Sequence, residues 1–228
     1  MSYVGGVLEP AEVRTMFDRI AGVYDPMNRL MSAGLDRRWR RLAAKRVVHP
    51  GDRVLDAACG TGDFALADLR AGAGLVTGLD FSTEMLERAR RKSSEIEWVE
   101  GDLLELPFAD ASFEAATIGF GIRNVSDIGR ALAELHRVLS PGGRLAVLEI
   151  TQAEGARATC ARFWLGRVVP LVSRVLSGGR AYVYLPASVR RFLSPQELAR
   201  ALSDAGFVDI RYRILGAGNV TLHVGVKQ

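Results

Sequence analysis

Apolar positions recur along the chain with two periods, and the switching between them lays out its elements. Val13, Met16, Phe17 and Ile20 fall at helical spacing and predict a first helix, which Pro26 within Tyr24-Asp25-Pro26-Met27-Asn28 should interrupt. A second helix is predicted from near Asp36, its apolar stripe Leu35, Trp39 and Leu42 set among Arg37, Arg38, Arg40, Arg41, Lys45 and Arg46. From residue 51 short apolar runs alternate with amphipathic ones. They read as strand 53–57, helix 63–71, strand 75–79, a helix from Thr83 with Ser82 as N-cap, and strands 97–101 and 113–118. Ile128, Ala131, Leu132, Leu135, Val138 and Leu139 then share one helix face, Pro141-Gly142-Gly143 stops that helix, and strand 144–150 follows. Ser194-Pro195-Gln196-Glu197 has the form of a capping box with proline at the first helical position, and Gly206 supplies the stop. Strands near 207–215 and 219–227, joined by Gly216-Ala217-Gly218, close the chain as a hairpin.

Strands alternating with helices predict an α/β protein with a mostly parallel sheet covered on both faces. Residues 151–192 break the rhythm and are too long for an ordinary connection, so they predict a helical insertion. The chain is then expected to be a single domain over 1–228, with a helical cap at 8–50 and the insertion at 151–192.

Composition narrows the partners. No run of about 18 apolar residues is present and the first residues lack the order of a signal peptide, which predicts a soluble, cytoplasmic protein. Cys59 and Cys160 have no ligand-like spacing to each other or to histidine, so neither a disulfide framework nor a metal site is expected. A charge of +4 and a pI near 9.4 suit an anionic partner. Between Gly155 and Gln196 there is no acid, while Arg157, Arg162, Arg167, Arg174, Arg180, Arg190 and Arg191 punctuate an apolar stretch. Such an insertion suits docking on an anionic membrane, or closing over a site as a lid. Its apolar content and the lack of spread aromatic residues argue against nucleic acid. For the basic second helix, a solvated face is the alternative reading.

Chemistry concentrates at Asp56-Ala57-Ala58-Cys59-Gly60-Thr61-Gly62-Asp63, between a strand and a helix start. Gly60 and Gly62 permit a tight turn and close ligand approach, and the helix beyond presents unpaired N–H groups. Asp56, Asp80 and Asp102 follow the first three strands, and in an open α/β sheet such strand ends converge on one crevice. Asp80, about 20 residues past the turn, sits where a carboxylate accepts from ribose hydroxyls, and Asp102 could accept from an adenine amino group. Singly, each acid also suits a strand-end cap; together they predict an adenosine ligand. Asp56 and Asp63 beside a pyrophosphate would repel it, which favours S-adenosylmethionine over NAD. A closing hairpin with an antiparallel last strand agrees. The expected fold is therefore the class I S-adenosylmethionine-dependent methyltransferase fold, Rossmann-like with seven strands.

Several segments resemble the quinone C-methyltransferases, which methylate demethylmenaquinol and 2-polyprenyl-6-methoxybenzoquinol on ring carbon. They are Met16-Phe17-Asp18-Arg19-Ile20-Ala21 with Tyr24-Asp25 and Met27-Asn28, Leu55 to Asp63, Leu106-Pro107-Phe108, Thr117 to Val125, and Tyr182-Val183-Tyr184-Leu185-Pro186. The resemblance runs from about residue 13 to the C-terminus. It implies cofactor contacts at Thr61, Asp80, Asp102, Leu103 and Gly119, alongside Asp56, Gly60 and Gly62, and substrate contacts at Tyr24 and Tyr184. It implies a prenylated quinol substrate in menaquinone or ubiquinone biosynthesis, most closely demethylmenaquinol; the charge of the basic insertion, and not the resemblance, predicts peripheral association with the inner face of the membrane, and a homodimer is left open. Two places depart from the family pattern: Leu148-Glu149-Ile150-Thr151-Gln152 after strand five, and Leu215-Gly216-Ala217-Gly218-Asn219 in the last hairpin.

A phenol of pKa near 10 costs about 4 kcal/mol to ionise at pH 7, so ring methylation needs a site that lowers that cost. Arg123 is the candidate cation and Asn124 the candidate orienting group, with a structural ion pair as the other reading of Arg123. His223 is the alternative base if it points inward; His49 and His136 read as structural. Methylation of another apolar acceptor, a sterol or a phospholipid amine, is the alternative activity.

Overall fold

The computed structural model describes residues 10–151, 188–189 and 191–228. Tyr184, Cys160 and nearly all of the basic insertion lie outside the described residues. The chain opens with α1 (Pro10–Met31) and α2 (Leu35–Val47), then alternates β1 (Arg53–Ala57), α3 (Ala65–Ala71), β2 (Leu75–Asp80), α4 (Thr83–Lys92), β3 (Glu97–Glu100) and β4 (Phe113–Gly119). A 3₁₀ turn (Ile122–Asn124), α5 (Ile128–Val138), β5 (Leu139–Ile150), α6 (Pro195–Asp204), β6 (Phe207–Leu215) and β7 (Val220–Lys227) complete it.

One seven-stranded sheet has the order β3-β2-β1-β4-β5-β7-β6. β7 runs antiparallel to both β5 and β6, and the pairings among β3, β2, β1, β4 and β5 are parallel. That is the expected class I arrangement. The central strands are buried on both faces, which explains their near-continuous apolar runs. α5 and α6 close one face with Leu132, Leu135, Leu198 and Leu202 against Ile118, Leu145 and Val147. α2 and α3 close the other with Ala43, Val47, Phe64 and Ala67 against Val54, Val76 and Leu148.

Three expectations need correction. Pro26 does not interrupt the first helix, because α1 runs on to Met31. The carbonyl that a proline leaves unpaired belongs to the residue four earlier, Gly22, which is exposed and can bond water. Pro141-Gly142-Gly143 does not end α5, which stops at Val138 with Leu139 already extended in β5: Leu139 pairs with Phe113 and Arg144 with Ala115, so the prolyl-glycyl stretch is an irregularity within the strand. Helix 63–71 begins two residues later, at Ala65. The capping box forms as read, with Ser194 accepting from the Glu197 N–H and Glu197 accepting from the Ser194 N–H.

Candidate active site

Strand order reverses between β1 and β4, and the groups carried on the strand ends meet there around a cavity of about 350 Å³. Of the residues expected at a site, Tyr24, Gly60, Asp80, Asp102, Leu103, Gly119, Arg123 and Asn124 line it. Apolar side chains from α1, α4, the start of α5 and the loops complete the wall, among them Val13, Phe17, Phe81, Met85, Leu104 and Ile128.

Three expected cofactor residues stand outside the lining, each for a physical reason. Asp56 is fully buried, and its Oδ2 accepts from the Ala65 N–H at 2.8 Å, so it caps α3 from beneath. Buried Asp68 lies close by, its Oδ2 accepting from Thr117 at 2.7 Å, and burial pushes both carboxyls up from their usual range. Gly62 is required by packing. Its φ is +81°, and a Cβ there would sit 2.4 Å from the Trp98 ring. Thr61 faces α1, donating to Asp25 at 2.5 Å and accepting from Lys92 at 3.0 Å.

Lys92 ties three segments together, reaching Asp63 at 2.6 Å and Asp25 at 2.7 Å as well as Thr61. Asp63 is thereby occupied, its carboxyl held below the usual range against its own burial. The repulsion argument against a pyrophosphate therefore loses both of its carboxylates, Asp56 to helix capping and Asp63 to Lys92. Further up α1, Asp18 accepts from the Ser82 hydroxyl at 2.5 Å and Arg14 pairs with Glu100 at 2.6 Å. α1 is thus clasped across the crevice, with Phe17 edge-on to both Tyr24 and Phe81.

Asp80 has two duties. Its Oδ2 accepts from the Gly60 N–H at 2.8 Å and its Oδ1 from the Ser82 N–H at 2.9 Å, which fixes the glycine turn against the end of β2. Burial pushes its carboxyl up to about 6, and those N–H donors hold the rise in check. Tyr24 is also pushed up by burial, so its phenol keeps its proton at neutral pH.

The turn after β4 carries the other pole. Phe120 has φ +60°, a left-handed conformation costing of order 1–3 kcal/mol, and Arg40 lies over its ring at 5.3 Å. Its carbonyl accepts from Arg123 Nη1 at 2.6 Å and from Asn124 Nδ2 at 3.3 Å. Arg123 Nη1 also reaches Glu149 Oε1 at 2.7 Å, with side-chain exposures of 9% and 0%. Arg123 is therefore both an ion-pair member and a cavity-lining cation. Its Nε and the Oδ1 of Asn124 are buried with no hydrogen-bond partner among the described residues. Both residues line the cavity, although these two atoms have almost no surface open to it.

Glu149 was not among the expected site residues. Its signal was present in Leu145-Ala146-Val147-Leu148-Glu149-Ile150: a lone carboxylate in an apolar central strand needs a cation or several N–H donors. It has both, since the Ile150 N–H donates to it at 2.8 Å. His223 stands away from the cavity. It is buried behind α6, bonded to the Pro195 carbonyl at 2.9 Å and stacked on Tyr212.

The sheet order, the antiparallel β7 and a crevice with carboxylates at the ends of β2 and β3 define an S-adenosylmethionine-dependent methyltransferase. The site fits that cofactor: acceptors at Asp80 and Asp102 suit its hydroxyl and amino groups, and Gly60 brings bare backbone to the cavity. Comparison with known proteins agrees. The description of the ubiE/COQ5 methyltransferase family matches residues 6–227, and the chain belongs to that family. It is 45% identical to a demethylmenaquinone methyltransferase of Thermus thermophilus, over 92% of this chain and 99% of that one. It is 42% identical to a ubiquinone/menaquinone biosynthesis C-methyltransferase of Desulfotalea psychrophila, over 94% and 90%. Among solved structures, an S-adenosylmethionine-dependent methyltransferase of Thermotoga maritima shares the fold, with a TM-score of 0.64 at 23% identity over 95% and 100% of the two chains. The [4+2]-cyclase SpnF has a TM-score of 0.71 at 21% identity, over 98% and 99%.

Proposed function

We propose that this chain methylates a ring carbon of a prenylated quinol, demethylmenaquinol, in menaquinone biosynthesis. The observation that carries the reading within the family is the buried, unpartnered pair of Arg123 Nε and Asn124 Oδ1 on the cavity wall. A ring hydroxyl suits these two residues, since it can accept from a guanidinium and donate to an amide oxygen.

Asp80 would hold the ribose hydroxyls, Asp102 and Leu103 the adenine, and Gly60 and Gly119 the rest of the cofactor. When bound, S-adenosylmethionine supplies an electrophilic methyl group. Arg123 stabilises negative charge on the ring oxygen, which raises electron density at the neighbouring ring carbon. A nearby cation lowers a phenol's pKa by about 1–3 units, a good part of the roughly 4 kcal/mol needed at pH 7. Glu149 fixes the guanidinium through Nη1. Tyr24 keeps its proton and so serves as a donor. The ring carbon would take the methyl as the sulfur–methyl bond breaks and the neutral thioether leaves, and that carbon would then lose its proton to solvent as the ring regains aromaticity. Over the reaction one proton is released.

An oxidised quinone offers no phenolate, so only the reduced acceptor should react. Methyl transfer to dithionite-reduced and untreated naphthoquinone tests this, and equal rates would reject the mechanism. Arg123→Met should lower kcat by about 100-fold with little change in cofactor affinity, the signature of an interaction made in the transition state.

A prenylated quinol partitions into the bilayer, so the enzyme works at the membrane surface as a peripheral, cytoplasmic protein whose partner is the anionic inner leaflet. No helix among the described residues is long and apolar enough to cross a membrane. In this reading the chain acts as one methyltransferase domain capped by its first two helices.

A further inference from the structure

We infer that the outer face of α2, together with the α1–α2 corner, is a docking surface for an anionic lipid bilayer. This rests on the peripheral-membrane reading above and assigns the surface that performs it.

The charge is concentrated here. α2 holds six basic residues against the single acid Asp36, a net +5, whereas the whole chain sums to +4. Arg40 is buried and satisfied by Asp36 at 2.5 Å. The other five, Arg37, Arg38, Arg41, Lys45 and Arg46, are exposed, and none pairs with an acid among the described residues. Like charges at such spacing repel one another, so the helix is less stable in isolation than it would be with acids interspersed. Proximity to an anionic surface removes that repulsion.

The helix is three-sided. At 3.6 residues per turn, buried Asp36, Arg40, Ala43 and Val47 face the sheet. One flank then carries Arg37, Arg41, Lys45 and Arg38. The other carries Leu35, Trp39 and Leu42, with Arg46 among them. Leu35 is 40% exposed, and at the adjacent corner Leu30, beside exposed Arg29, is 49% exposed. Trp39 and Leu42 are half-buried against the core, so the apolar part of this surface is Leu30 and Leu35. A basic flank adjoining exposed leucines matches a surface that enters the headgroup layer, with cations on the phosphates and apolar side chains at the acyl boundary. A nucleic acid would welcome the arginines but has no use for exposed leucines, and the one aromatic residue on the flank provides no stacking row.

The test uses the full chain and cosedimentation with phosphatidylglycerol–phosphatidylcholine vesicles at low and high salt. Wild type should bind at low salt, release at high salt, and ignore phosphatidylcholine alone. Arg37→Gln/Arg38→Gln/Arg41→Gln should lower partitioning at least about tenfold, and Leu35→Ser should lower it at unchanged charge. Arg211→Gln/Arg213→Gln, which removes exposed charge on β6 (Phe207–Leu215), should bind as wild type. All variants should keep turnover on a short-chain soluble quinol. If wild type binds vesicles and the triple variant binds equally well, the α2 surface is wrong and the membrane reading stands. If wild type does not bind anionic vesicles, both are wrong. If the triple variant loses binding to duplex RNA and keeps vesicle binding, the face serves nucleic acid and the inference fails.

Discussion

Asp80 holds the glycine turn and faces the cavity at once, and its environment makes the second role depend on pH. With its carboxyl pushed up to about 6 by burial, the ionised form dominates above pH 6 and the neutral acid below it. Only the carboxylate can accept from two hydroxyls, so cofactor affinity should rise through pH 6 and level off above pH 7. Isothermal titration between pH 5 and 8 would show this. Asp80→Asn should weaken binding about tenfold at pH 8 and flatten the profile, because an amide offers one acceptor and does not titrate. A profile that stays steep in this variant would place the titrating group elsewhere. Position along the sequence pointed to Asp80 and Asp56 by the same rule, and only Asp80 lines the cavity. Both follow a strand, but Asp56 turns under α3 to the Ala65 N–H, and the rule cannot see which way a strand-end side chain points.

At the scale of elements, α1 forms one wall of the cavity and is the element expected to move as the cofactor comes and goes. It is fastened by polar latches at Asp18–Ser82 and at Asp25 with Thr61 and Lys92, none of them at a contact with the sheet core. Partly exposed latches of this kind contribute about 1 kcal/mol or less each. Asp18→Ala/Asp25→Ala should therefore raise the cofactor dissociation rate several-fold while costing only about 1–2 kcal/mol of stability. Stopped-flow displacement and denaturant unfolding would separate the two quantities. An unchanged dissociation rate would mean that the cofactor leaves without α1 moving. The period of Val13, Met16, Phe17 and Ile20 announced this helix. Its continuation past Pro26, and its closing over the crevice, could not be read from that period, since both depend on a solvated Gly22 carbonyl and on partners 36 to 86 residues away.

For the whole molecule, the cavity lies between α1, the strand ends and the turn after β4, so a ligand bound there joins parts that separate on unfolding. At a concentration 100 times its Kd, S-adenosylmethionine should stabilise the fold by about 2.7 kcal/mol. For a chain of this length that corresponds to a rise of about 5–10 °C in Tm. Differential scanning calorimetry checks it, and Asp80→Asn should show a smaller shift at the same concentration.

The sequence by itself determined the alternation of strands and helices, the glycine turn, the closing hairpin and the family resemblance, because each rests on short-range spacing that local physics enforces. It also held Arg123 and Asn124, on a segment specific enough to stand out. Tertiary structure decided which acids face the ligand, that Gly62 serves Trp98, that Glu149 holds Arg123, and that His223 is turned away behind α6. It also decided that Arg123 Nε and Asn124 Oδ1 are left unpaired while their neighbouring atoms are satisfied. These are relations between side chains brought together only when the sheet assembles. No periodicity encodes them, since the free energy that selects them is the cost of leaving a buried polar group without a partner.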